Sequence, residues 1–378
     1  MKLIHTRPIL SLFLPLFFGS IFGLVCLYYF YNQLNVDINY NEFALGEENT
    51  TSVEFFNDIQ IHCTDFNIVN DCIYGYHSSR PNEPVILWLG NSQLHTINQM
   101  QKNDFSAPYI LHTHSTNDSK YLITFSQPNA NLQENLLLFE YFFKKLPIET
   151  LILPLVFDDM REAGIRASLL KALDNRNVIE ALSESEVGQR ILLKANKKGS
   201  IGNEFSGLDG TLQKKVELFI NNELKNNWKI WDKREQFRGH FFTSIYLFRN
   251  SLLGINPSSV RKKIPGRYAN NINAFSAILK SANKKQVKVI LYIAPLRDDV
   301  AIPYDLGEYK DFKEDIEKVS KLSGIEVINF ESLVPFNYWG TKDSTSLSME
   351  QEIDFMHFKA GGHQLLADAI YSELISDI

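Results

Sequence analysis

At 378 residues, with 44% hydrophobic and 22% charged side chains, the chain has the composition of a folded globular protein and the length of one large domain or two ordinary ones. Its formal net charge is −6, and because Lys2 and Arg7 precede the first carboxylate, Asp37, the remainder carries 36 basic against 44 acidic residues. That balance argues against a nucleic-acid partner, since phosphate binding needs a basic face.

No charged side chain occurs between Pro8 and Val36, and Ile9 to Tyr31 is long enough to cross a hydrocarbon core of roughly 30 Å at about 1.5 Å per helical residue. Lys2, His5 and Arg7 precede this run, and Tyr28, Tyr29 and Tyr31 close it. Residues 1–36 are therefore expected to form a cytoplasmic stub and one transmembrane anchor in the inner membrane, with the rest of the chain on the periplasmic side. A cleaved signal peptide would have a shorter apolar core and a small-residue cleavage site, which Leu27 to Asn32 does not offer. Residues 37–57 are polar and acidic and read as a linker, so the folded domain is expected to span 58–378. Cys26 lies in the apolar run, whereas Cys63 and Cys72 lie close together in the outer portion. Both a disulfide between them and two free thiols fit the sequence.

Continuous apolar, β-rich runs follow at Val85 to Leu89, Leu151 to Phe157 and Val287 to Ala294, with weaker ones at Tyr121 to Phe125 and Glu326 to Phe330. Such runs suit strands buried on both faces of a parallel sheet. Helical patterns fall between them at Leu132 to Lys145, Tyr268 to Ala282 and Tyr309 to Leu322. The alternation predicts an α/β fold, a three-layer α/β/α sandwich around a central parallel sheet. About 130 residues separate the strand ending near Phe157 from the one beginning near Val287, so a helical insertion is expected at about 167–265. Within it, Phe241, Phe242, Tyr246, Leu247, Phe248, Leu252 and Leu253 fit a helix packed on the core; they also fit a lid, or a surface resting on the bilayer or on a membrane partner.

The most informative stretch is Val85 to Gln99, where a buried-type strand leads through Gly90, Asn91 and Ser92 into a helical pattern from Leu94. A serine there sits at the carboxyl end of a strand, the edge where open α/β sheets bind ligands. A serine after a strand is also an ordinary N-cap. Near the other end of the chain, Asp354 and His357 lie three residues apart ahead of the helical pattern Gln364 to Ile375. At that spacing an aspartate can hold an imidazole in the tautomer that accepts a serine proton. There is no Cys-x-x-Cys or His-Glu-x-x-His zinc spacing, and no cofactor is implied.

Together the two ends resemble the SGNH, or GDSL-like, hydrolase superfamily. Gly90, Asn91 and Ser92 match its first block, Asp354 and His357 its last, and Gly362, His363, Leu366 and Ala367 its closing helix. No Gly-x-Ser-x-Gly elbow occurs, which argues against the α/β-hydrolase fold. The resemblance implies a catalytic triad of Ser92, His357 and Asp354. It also implies an oxyanion hole completed by a glycine amide and an asparagine from two middle blocks, neither of which is plain here. The Ser92 and Ala130 amides, Asn129 and Asn131 are the candidates for those donors, and Arg161 lies where the family's asparagine is expected. Arg161 and Arg297 are candidate substrate contacts, with a local ion pair to Asp298 or Asp299 as the other reading of Arg297.

An amino-terminal anchor followed by an SGNH-like domain resembles the DltD-type and alginate-acetylation-type envelope proteins. That likeness implies transfer of acyl groups to a cell-envelope glycan, with a multi-spanning membrane O-acyltransferase as partner. A plain esterase or lipase, or a non-catalytic scaffold or glycan-binding subunit, are the alternatives.

Overall fold

The computed structural model describes residues 49–51, 54–206, 245–344 and 350–376, with isolated positions 19 and 23. Its centre is a six-stranded sheet in which every pairing is parallel. The strands are β4 (His62–Cys63), β5 (Val85–Gly90), β7 (Tyr121–Ser126), β8 (Ile148–Leu155), β9 (Lys288–Ile293) and β10 (Val327–Asn329). Small antiparallel pairs join β1 (Asn49–Thr51) to β6 (Thr96–Asn98), β2 (Phe55–Phe56) to β3 (Ile59–Gln60), and β11 (Trp339–Lys342) to β12 (Glu352–Phe358).

Alternate side chains of β5 explain why the apolar runs are unbroken. Ile86 and Trp88 enter one core with Ile152, Tyr292, Leu111, Leu366 and Ile370, while Leu87 and Leu89 enter another with Phe125, Leu137, Phe142, Phe275 and Phe312. Both faces are covered, so no position can be polar without losing about 1.5–3 kcal/mol of burial. The first core is closed by α3 (Ala107–Asn117) and α9 (Ala360–Ile375), and the second by α1 (Val69–Ser79), α4 (Leu132–Phe143), α7 (Pro265–Lys284) and α8 (Leu306–Lys321). The fold is thus α/β with a central parallel sheet, compatible with a three-layer sandwich.

The expected fold class is corrected on the membrane helix. Among the described residues no helix is long and apolar enough to cross a membrane. α8, for example, buries Tyr309, Phe312 and Ile316 and turns Lys310, Glu314 and Lys321 outward. Apart from Gly19 and Gly23, the run Ile9 to Tyr31 lies outside the described residues.

The strand order is β10-β9-β8-β5-β7-β4, so the chain runs from β5 to its neighbour β7 and then returns to the other side of β5 as β8. The crossovers before and after β7 depart in opposite directions, and a crevice is left at the carboxyl end of β5. Ser92 follows that end directly.

Two differences from the sequence reading, and the choice between its two readings of the cysteines, bear on the site. Residues expected in the linker belong to the fold: β1 pairs with β6, and the buried Glu54 carboxylate accepts hydrogen bonds from the Ser106 amide at 2.7 Å and from the Ser106 hydroxyl, at the start of α3. A disulfide joins Cys63, at the end of β4, to Cys72 in α1. In the insertion, a 3-10 helix (Ala167–Asp174), α5 (Arg176–Ser183) and α6 (Glu186–Ser206) are described, and 245–253 is helical; Phe241 and Phe242 lie outside the described residues. That helical stretch does not bury its apolar face: Ile245, Tyr246, Phe248, Leu252 and Leu253 are exposed, and its buried residue is Asn250.

Candidate active site

Glycine ends β5 for a steric reason. A Cβ on Gly90 would stand 2.5 Å from Leu94 Cδ1 and 3.2 Å from Pro154 Cγ, so a side chain there would displace the Leu94 side chain from its packing. Asn91 then fixes that turn from both ends of its amide. Its Oδ1 accepts the Gln93 N–H at 3.0 Å, while its Nδ2 donates to both carboxylate oxygens of Asp159 at 3.1 and 2.9 Å. Ser92 opens a helical turn of only four residues, α2 (Ser92–His95), because the chain passes directly into β6; the helical pattern expected from Leu94 does not continue.

Asp354 and His357 arrive by a route the sequence did not suggest. They lie on β12, where Trp339 pairs with Phe358 and Thr341 with Ile353, so two steps on β11 face five on β12. The excess residues leave the ladder as a bulge, which re-aims side chains that a regular strand would send to opposite faces. Asp354 closes the bulge itself: its Oδ1 accepts the Met356 and His357 amides at 2.8 and 3.1 Å. Its Oδ2 accepts the His357 Nδ1–H at 2.9 Å, and His357 Nε2 stands 2.9 Å from Ser92 Oγ. This network assigns the His357 proton to Nδ1 and leaves Nε2 as the acceptor for the serine hydroxyl.

Asp354 is 1% exposed. Burial pushes its pKa up, but the charge and hydrogen bond of His357, with Lys342 and the Met356 amide, outweigh burial and hold the carboxyl well below the usual carboxylate range. Gln93, also buried, ties the bulge to the sheet by donating to the carbonyls of Met356 at 3.1 Å and Pro295 at 3.3 Å.

Behind the triad lie three neutral imidazoles. His62 Nε2 and His95 Nδ1 share the Ser126 hydroxyl at 2.6 and 2.7 Å, and His363 bridges Thr96 and Ala107. Burial lowers His62 and His363 to about 3 and His95 well below the usual histidine range, with the nearby histidines adding to the effect in each case. These rings stay uncharged at neutral pH and serve as packing and hydrogen-bonding groups.

Asp159 is the opposite case to Asp354. It is deeply buried, its side-chain partner is an amide rather than a cation, and burial raises its pKa well above the ordinary value; the Asn91 hydrogen bond opposes this, while the charges of Asp158, Glu162 and Glu134 add to it. A raised carboxyl holds its proton more tightly in the folded chain, so its contribution to stability is full below the ordinary aspartate pKa and is lost as pH rises through the folded value. Asp159→Asn, which keeps an oxygen for Asn91, is therefore expected to melt about 1 to 2 °C above wild type at pH 8, the shift that ~1 kcal/mol gives in a chain of this size, and no higher at pH 3. Thermal denaturation at the two pH values measures the difference.

The other sequence candidates are engaged elsewhere. The Ala130 amide donates to the Gln127 carbonyl at 3.2 Å. Asn131 caps α4 through the Gln133 and Glu134 amides and donates to the Gly164 carbonyl, so its side chain is consumed by turn and helix ends. Asn129 is exposed, with a φ of 52°. Arg161 pairs with Asp158 and donates to the Lys262 carbonyl. Arg297 forms the local ion pair, forked onto Asp299 at 2.6 and 2.9 Å, and donates to the Gly340 carbonyl. As the first residue of its turn, Ser92 has an N–H with no intrahelical acceptor, and this amide is the donor that remains beside its own Oγ. Among the described residues no cluster of three or more His, Cys, Asp or Glu side chains could hold a metal.

The chain matches no protein-family model and no curated protein.

Proposed function

We propose that this chain is a serine-dependent acyl-transfer enzyme of the SGNH type, an O-acyltransferase or esterase with Ser92 as nucleophile, His357 as general base and Asp354 as the group that orients it. The observation that carries this reading is the continuous chain from Asp354 through His357 to Ser92, with 2.9 Å at both links, assembled from segments 265 residues apart at the crevice of the sheet. In the first half-reaction His357 takes the serine proton at Nε2, Ser92 Oγ bonds to the acyl carbon, and the Ser92 amide faces the developing oxyanion. The tetrahedral intermediate then collapses, and the departing alcohol leaves with the proton from His357. In the second, His357 deprotonates an acceptor hydroxyl or water, which bonds to the acyl carbon, and Ser92 Oγ departs with the proton returned from His357 Nε2.

The disulfide between Cys63 and Cys72 supports an oxidising compartment, which suits an enzyme acting outside the cytoplasm. The narrower reading is O-acyl transfer to a cell-envelope polysaccharide, with the acyl group delivered by a multi-spanning membrane acyltransferase. A second reading, a non-catalytic scaffold on the same fold, is favoured by the engagement of Ala130 and Asn131 away from the oxyanion. A fluorophosphonate probe separates the two, because it reacts only with an activated serine. Covalent labelling of the folded protein, mapped by mass spectrometry to Ser92, is expected; folded protein that takes up no label would refute the enzyme reading.

A further inference from the structure

We propose that Asn98 is a fourth working member of this site, a positioning residue that sets the Asp354 carboxylate for His357; this rests on the serine-enzyme reading above. Asn98 ends β6 and is fully buried. Its Nδ2 donates to the Thr341 carbonyl of β11 at 2.8 Å and to Asp354 Oδ2 at 3.3 Å, the same oxygen that accepts the His357 Nδ1–H. With the Met356 and His357 amides on Oδ1, the carboxylate is held from both oxygens, and Asn98 is the one side chain of this set from outside the bulge. It resists rotation of the carboxylate away from the imidazole.

Two observations indicate that the donor end of this amide is what the position requires. Among the described residues the buried Asn98 Oδ1 has no hydrogen-bond partner, a cost that an apolar residue of similar size would avoid. The opposite strand also makes room for it: a Cβ on Gly340 would stand 1.8 Å from Asn98 Oδ1 and 2.4 Å from its Cγ, so any residue but glycine would drive the amide out of place. The pairing of β6 with β1, with Asn49 opposite Asn98, fixes the backbone from which the amide reaches across.

The test uses the full-length chain and two readouts, the rate of fluorophosphonate labelling at Ser92 and the far-downfield proton resonance of the His357 Nδ1–H bonded to Asp354, with thermal melts to certify folding. Asn98→Ala is expected to slow labelling on the order of tenfold, the scale of one lost orienting hydrogen bond, and to shift or broaden that resonance. Asn98→Asp, equal in shape but unable to donate while ionised, should lose at least as much. Gly340→Ala should reproduce the Asn98→Ala defect, and the double variant should be no worse than Asn98→Ala, since the new methyl then fills the vacated space. If wild type labels and Asn98→Ala labels within twofold of it with the resonance unmoved, Asn98 is only filler and the proposal is overturned while the serine reading stands. If wild type does not label at all, the serine reading fails, and an unmoved resonance in folded Asn98→Ala overturns the positioning role separately.

Discussion

Replacing His357 by alanine is expected to slow acylation of Ser92 by roughly 10⁴- to 10⁶-fold while leaving the protein folded, the range seen when one member of such a triad is removed. A serine hydroxyl is a poor nucleophile until a base takes its proton, and the base positioned to do so is His357 Nε2, 2.9 Å away. The other nearby imidazoles offer no substitute. His95 and His62 are turned onto Ser126, and His363 is spent on two backbone groups. His357 is the side chain that offsets the burial of the Asp354 carboxylate, so its loss should lower the melting temperature at neutral pH while the central sheet, which it does not join, stays folded. Burst kinetics with an activated ester, or fluorophosphonate labelling, would measure the defect. A labelling rate within tenfold of wild type would show that Ser92 draws its reactivity from another source.

Asp354→Asn should be nearly as damaging, with a loss of about 10⁴-fold, although the substitution changes no more than one oxygen for nitrogen. An asparagine can still accept the Met356 and His357 amides through its remaining oxygen, so the bulge is kept. Its Nδ2 would donate where Oδ2 now accepts, which turns the His357 proton to Nε2 and removes the acceptor for the serine. Stability follows with a sign that can be checked. The folded-state pKa of Asp354 is depressed, so its stabilisation is present above the ordinary aspartate value of about 3.9 and is lost as pH falls through the lowered one. Asp354→Asn should therefore melt below wild type at neutral pH, with the gap closing as pH approaches 2. A gap that persisted unchanged into acid would mean that the carboxylate charge contributes nothing to the fold.

Much of the scaffold could be read in advance because burial on both faces leaves a plain trace: Val85 to Leu89 and Val287 to Ala294 are apolar without a break and sit in the central sheet. The serine was legible for a related reason, since Gly90, Asn91 and Ser92 follow such a strand directly. Asp354 and His357 were legible as a pair, but not in their setting, for the bulge depends on a register shift against β11 that no local pattern records. Asn98, Gln93 and Asp159 were not singled out at all. Each acts through an amide or carboxyl whose partner lies at least 68 residues away, and polar residues of that kind give no periodic signal. Asn129, Ala130 and Asn131 drew notice for their position after β7, but the turn and the cap of α4 consume the donors of Ala130 and Asn131 and leave Asn129 at the surface. The exposed apolar face at 245–253 breaks the usual rule that helical apolar spacing marks burial.

The entry of the chain into the domain sets where it can be cut. A shortened protein starting at residue 58 would keep every strand of the central sheet, yet it would strip β6 of its partner and leave the start of α3 without the Glu54 carboxylate. β6 would then present an unpaired edge, and the edge would fray at Asn98, next to the triad. Shortened versions meant to preserve the site should therefore begin upstream of Asn49, because the first residues of the folded region form part of the wall against which Asp354 is held.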